Sequence, residues 1–147
     1  MSILQTATTS FKVQLLQAVH NFNTTGDTFK IALYTANANL GTDTTAYTSA
    51  NEVVGAGYLA GGVTLVIPAN PTSGTNLTNM ATAYTTFNNA TWPSSSFTAR
   101  AALIYNTSKN NASVAVLDFG SDKTTNNDTF QVVFPTADAN SAIVRIS

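Results

Sequence analysis

The chain has 147 residues, 44% of them hydrophobic and only 9% charged, with a formal net charge of −1, no cysteine and a single histidine, His20. That length and composition fit one globular domain, residues 1–147, with a substantial core. They exclude disulfides and cysteine-based zinc sites, and the lack of any basic run removes the electrostatic footprint of a nucleic-acid binder.

The remainder is dominated by Thr, Asn, Ser and Ala. Thr fits a pleated surface because it is β-branched, whereas Asn and Ser side chains bond nearby backbone and favour turns. Many short strands joined by polar turns are therefore expected. The opening MSILQTATTSFK lacks a basic stretch followed by a long apolar core, so no signal peptide is predicted, and no apolar run approaches the roughly 18 residues of a membrane span. Asn23, Asn76, Asn89, Asn106, Asn111 and Asn127 each open an N-x-S/T sequon, which chance explains in a chain this rich in Asn and Thr.

Residues 10–22, SFKVQLLQAVHNF, form the one predicted helix. Phe11, Leu15, Ala18, Val19 and Phe22 share a helical face, Ser10 is the expected N-cap, and Asn23 to Gly26 end it, with Gly26 suited to a left-handed turn. The period then becomes two. In 28–35, TFKIALYT, Phe29, Ile31 and Leu33 point one way and Lys30, Ala32 and Tyr34 the other. Residues 36–51 read as a long polar loop with a short edge strand near Tyr47. Residues 52–67 read as a strand broken by Gly55, Gly57, Gly61 and Gly62, where a bulge or close backbone approach is expected, and alternation resumes at Val63, Leu65 and Ile67. Pro68, Pro71, Ser73 and Gly74 mark a turn, 80–88 a strand, and Trp92-Pro93 its end. Strands follow at Phe97–Tyr105, Ser113–Phe119 and Thr129–Phe134, joined through Asn106–Asn111 and Gly120–Asp128, and a last one spans Ala142–Ile146. Short strands, one helix and no βαβ alternation predict an all-β fold, an antiparallel two-sheet β-sandwich of jelly-roll type with one short N-terminal α-helix.

Reactive side chains are scarce. His20 has no cysteine or neighbouring carboxylate to help hold a metal, so it reads as a helix-end histidine near the C-terminal dipole. Asp118, Asp122 and Asp128 flank one connection, but their spacing does not fit an EF-hand loop and turn formation explains them. No G-x-S-x-G or phosphate-binding glycine motif occurs. Arg100 lies in a small, apolar strand and carries two readings: it faces a carboxylate such as Asp118, or it points outward to a partner subunit. Tyr34, Tyr47, Tyr58, Tyr84, Tyr105 and Trp92 suit a carbohydrate platform or an assembly interface, and equally a core. The expectation is a protein that is not an enzyme, with no catalytic, cofactor-binding or metal-binding residues, no cofactor, and no nucleic-acid or membrane partner.

Four segments, FKVQLLQAVHNF, FKIALYTANANLG, ARAALIYNTSKNNASVAVLDFGSDK and FQVVFP, resemble a family of small proteins encoded by tailed bacteriophages. The resemblance runs over residues 11–134 and implies a virion structural component, made in the host cytoplasm and located on the capsid surface. It points first to a capsid decoration (cement) protein that binds the major capsid protein and itself, as a homodimer or trimer. The alternative is a tail- or fibre-associated receptor-binding module. The expected contacts are the loop 36–51, the segment before Ser10 and the C-terminal strand, because of their polarity and lack of hydrophobic anchors.

Overall fold

The computed structural model describes residues 2–147. Among the described residues the fold is all-β: two antiparallel sheets, one short α-helix and a single 3-10 turn. In chain order the elements are β1 (Thr6–Ala7), α1 (Thr9–Leu16), β2 (Phe29–Tyr34), β3 (Val63–Thr64), β4 (Thr72–Thr75), β5 (Ala81–Thr85), β6 (Ala90–Asn106), the 3-10 turn Thr107–Lys109, β7 (Ala112–Val132) and β8 (Val144–Ile146). The larger sheet runs β1-β7-β6-β2-β3 and the smaller β4-β5-β8.

The alternation in β2 decides the architecture. Phe29, Ile31 and Leu33 enter one hydrophobic cluster with Phe22, Trp92, Ile104 and Val114. Ala32 and Tyr34 enter a second, on the opposite face, with Leu40, Leu103, Tyr105 and Val116. Both faces of the central strands are thus covered. α1, the chain after it and β8 pack over the first face, while loop 36–51 and the N-terminal segment cover the second.

Several boundaries differ from the sequence expectation. The helix starts one residue earlier, at Thr9, and its N-cap is Thr8, not Ser10: the Thr8 hydroxyl accepts the Phe11 N–H and bonds Ser113 Oγ at 2.9 Å. It stops at Leu16, not Phe22, because Ala18 turns the chain at φ 58°; Gly26 is not left-handed but packs where a Cβ would lie 2.5 Å from the Asn21 carbonyl. The strand expected over 52–67 is reduced to the two residues of β3. Gly62 (φ 70°) lies so close to Ile31 that a Cβ would sit 1.8 Å from its carbonyl oxygen, which is the backbone approach expected of that stretch.

Ser73 and Gly74 belong to β4 rather than to a turn, and Trp92-Pro93 lies inside β6 rather than ending a strand. The strands expected at 113–119 and 129–134 are one 21-residue strand, β7, with no loop at Gly120–Asp128. β7 pairs with β6 from Asn106↔Ala112 to Ala90↔Val132, with four register shifts that bend the ribbon.

Candidate functional site

Loop 36–51 is held down instead of projecting as a free arm. Ala38 and Leu40 are buried, so the expected lack of hydrophobic anchors is incorrect. The Leu4 N–H donates to the Leu40 carbonyl and the Leu40 N–H to the Ser2 carbonyl, tying the N-terminal segment to the loop.

At the edge of β2, where this loop meets the first cluster, lies a buried carboxylate. Glu52 Oε1 accepts the Tyr58 hydroxyl at 2.6 Å and the Gly61 N–H at 2.7 Å, and Oε2 accepts the Tyr47 hydroxyl at 2.7 Å. The Tyr58 hydroxyl in turn accepts the Leu33 N–H at 2.8 Å, while the Val53 N–H donates to the Leu33 carbonyl. β3 pairs only with Lys30 and Ile31, so Glu52, Val53 and Tyr58 complete the edge of β2 where no strand lies beside it. Tyr34 donates to the Thr48 carbonyl at 2.6 Å, and Tyr105 donates to the Gly61 carbonyl at 2.8 Å while stacking on Tyr47 with centroids 4.7 Å apart. Burial and, second, the Glu52 charge push the Tyr105 phenol up to about 12. Tyr34, Tyr47 and Tyr58 are raised further, chiefly by burial and also by Glu52. Two of these hydroxyls, of Tyr47 and Tyr58, donate to the Glu52 carboxylate, and the other two donate to the backbone carbonyls of Thr48 and Gly61 beside it.

The sequence analysis assigns Glu52 no role. A usable signal was present: one carboxylate between Tyr47 and Tyr58, beside Val53 and Val54, with no cation within ten residues on either side.

A second polar cluster joins the chain after α1 to the β6–β7 turn. Asn106, fully buried, donates from Nδ2 to Asp27 Oδ2 at 2.8 Å and to His20 Nδ1 at 2.9 Å, and its Oδ1 accepts the Ser108 N–H. Because an amide nitrogen only donates, His20 Nδ1 accepts; Nε2 then carries the hydrogen and donates to Gln14 Oε1 at 2.8 Å. His20 therefore lies beyond the helix, not at its end, and is held as the neutral ring. Burial lowers its pKa, opposed by the Asp27 charge and reinforced by Lys109, whose Nζ lies 3.8 Å from Asp27.

Arg100 does face Asp118, with Nε 3.0 Å from Oδ1, but the pair is part-exposed, at 31% and 23% of the side-chain surfaces. The Arg100 hydrogen bond and then the Gly120 N–H hold the Asp118 carboxyl below the usual carboxylate range. Asp122 and Asp128 are exposed, and among the described residues no three metal-ligating side chains gather. Of the aromatic set, Tyr34, Tyr58, Tyr105 and Trp92 are buried, so these four are core residues and present no exposed platform.

What remains open is surface. A groove of about 590 Å³ runs between α1, β1 and β8, floored by Phe11, Leu15, Ala115 and Ile143. It shares Gln5, Leu117 and Ile143 with a groove of about 850 Å³ that follows the outer edge of β7. The chain was compared with protein-family models, curated proteins and solved structures, and none of them matches it.

Proposed function

We propose that this protein is a structural component of a tailed-phage virion, a decoration protein that binds the outer surface of the head and stabilises it. The observation that carries this reading is the exposure of large aliphatic side chains on a weakly charged surface. Leu16 (91%), Val54 (94%), Leu59 (81%) and Leu77 (90%) stand almost fully in solvent on a chain with 9% charged residues. Low charge leaves such a surface little self-repulsion, which permits dense assembly with other subunits. The resemblance of residues 11–134 to small phage proteins supports the same reading.

The mechanism is linkage. A ligand that binds the assembled shell and not its dissociated subunits shifts the equilibrium toward the shell, and contacts to adjacent subunits multiply the effect through effective concentration. A closed homodimer or trimer matches that repeated geometry. Because loop 36–51 and the N-terminal segment are tied to each other and to the sheet, the C-terminal strand at the edge of the smaller sheet is the contact this reading favours.

Quantitative mass spectrometry of purified virions tests the proposal. Copy numbers on the scale of the major capsid protein are expected. A tail-scale stoichiometry moves the protein to the tail or a fibre, and absence from the particle overturns the virion reading.

A further inference from the structure

We propose that the groove between α1 and β8 is the contact surface, and that its occupant is an acidic, partly apolar segment of a neighbouring protein. This rests on the structural-protein reading above. The groove is apolar along its floor, and its rim carries Leu16, 91% exposed, and Ile146, 59% exposed. Its charges are one-sided. The chain has six cations; Arg100 and Lys109 are in ion pairs, and of the other four, Lys12 and Arg145 both line this groove. Among the described residues no carboxylate lines it. Among the described residues neither Lys12 nor Arg145 makes a salt bridge; the Arg145 guanidinium donates only to the Asn140 carbonyl.

This charge pattern selects the occupant. A second copy docked by its own groove across a two-fold axis would bring Lys12 and Arg145 against their own equivalents, and like charges at an interface oppose association. A segment bearing carboxylates beside apolar side chains satisfies both parts of the groove: the apolar part fills the floor and the carboxylates meet the two cations. The neighbouring edges favour an extended segment. β1 covers β7 only at Ala115 and Val116, the Gln5 side chain accepts the Asp118 N–H just beyond, and β8 is the outermost strand of the smaller sheet.

The test is co-sedimentation of the purified chain with heads assembled without it, at low and high salt. The variants are Leu16→Ser, the double change Lys12→Glu with Arg145→Glu, and a control, Thr64→Glu, on the opposite edge of the larger sheet. These side chains are exposed, and thermal melts check that each variant folds. Wild type and Thr64→Glu should bind, and more weakly as salt rises. Both groove variants should lose about tenfold or more in affinity, and the charge reversal should invert the salt dependence, since its carboxylates would then face those of the partner and salt would relieve the repulsion.

If wild type binds and the groove variants bind as well as it does, the groove is the wrong surface and the decoration reading stands. If wild type does not bind heads, the decoration reading falls and this inference with it. Wild-type binding to anionic lipid vesicles that depends on Lys12 and Arg145 would assign the groove to a membrane surface instead. Concentration-dependent self-association abolished by Leu16→Ser would assign it to a second copy. Either result overturns the proposal.

Discussion

The two faces of the larger sheet are covered by different physics. On the first, Phe22 stacks on Phe29 at 4.5 Å, Phe87 and Phe134 pack beside them, and Trp92, Phe97 and Phe130 extend the cluster. Cohesion there is apolar area, which is non-directional. On the second, small residues such as Ala32 and Ala101 leave room for a loop, and the loop is tied at the sheet edge by the Tyr47 hydroxyl, which donates to Glu52, and by the Tyr34 hydroxyl, which donates to the Thr48 carbonyl. Cohesion there is directional, because each bond needs a particular donor at a particular place. The first cover should tolerate a change of shape and not a loss of volume; the second should tolerate neither a lost acceptor nor an apolar isostere.

The largest effects test that contrast directly. Phe29→Ala should lower the unfolding free energy by ~3–5 kcal/mol in urea titrations, since it empties a fully packed site. Phe29→Leu should cost much less, and equal losses for the two would contradict the area-driven account. Next is Glu52→Ala, which leaves the Tyr47 and Tyr58 hydroxyls and the Gly61 N–H without their acceptor and should cost ~3 kcal/mol. Glu52→Leu should be no better despite its apolar volume, and Glu52→Gln should recover part of the loss by keeping one acceptor oxygen. A Glu52→Leu protein as stable as wild type would show that the second face too is held by area.

The same contrast explains what was legible in the sequence. β2 and its two-way alternation were clear because both faces are apolar and the period is strict. The Arg100–Asp118 pairing was legible as one of two readings, because a cation in a small-residue strand needs an anion within reach. β7 was not legible as one strand. Between Gly120 and Thr129 nearly every side chain is solvent-exposed, so no apolar alternation marks the strand, and Ser-Asp-Lys-Thr-Thr-Asn-Asn-Asp has a turn-like composition. The ladder continues regardless through cross-strand contacts such as Thr98 with Thr124, 2.8 Å between hydroxyls, with Gly120 (φ 75°) and Asn127 (φ 49°) taking up the irregularity. The helix was overextended because Phe22 does reach the core, but by a turn at Ala18 rather than by helical periodicity. The Glu52 cluster folds Tyr47, Tyr58 and Gly61 of the one connection between β2 and β3 onto the edge of β2, and its trace in the sequence, a lone carboxylate between two tyrosines, has no helix or strand period.

A smaller effect concerns the polar tie beneath the first cover. His20 is bound as a neutral ring, with Asn106 donating to Nδ1, and its pKa is lowered in the folded state. The unfolded chain therefore takes up the proton at higher pH than the folded one. Stability from this group is complete above the ordinary value of 6.5 and is lost as pH falls below it toward the folded pKa. Asp118 acts in a separate window: its pKa is lowered by Arg100, so its contribution is present above the ordinary carboxylate value of 3.8 and disappears as pH falls below that. Urea midpoints measured from pH 8 to 5 should decline on the acid side for wild type, and that decline should vanish in His20→Gln. A decline that survives the substitution would assign it to another group.

The smallest effect is at Arg100. Its pair with Asp118 is part-exposed, so water and salt screen it, and Arg100→Met should cost less than ~1 kcal/mol. A buried ion pair behaves otherwise, because removing one partner strands a charge away from water. The measurement is again a urea midpoint, taken with and without added salt. A loss of several kcal/mol, insensitive to salt, would mean that the centre of β6 and β7 is held by a directional lock like the one at Glu52. A small, salt-sensitive loss would leave the directional hold to Glu52 and the Asp27–Asn106 tie, with Arg100 and Asp118 serving to fix the alignment of two bent strands where their register shifts between Ala99 and Ala101.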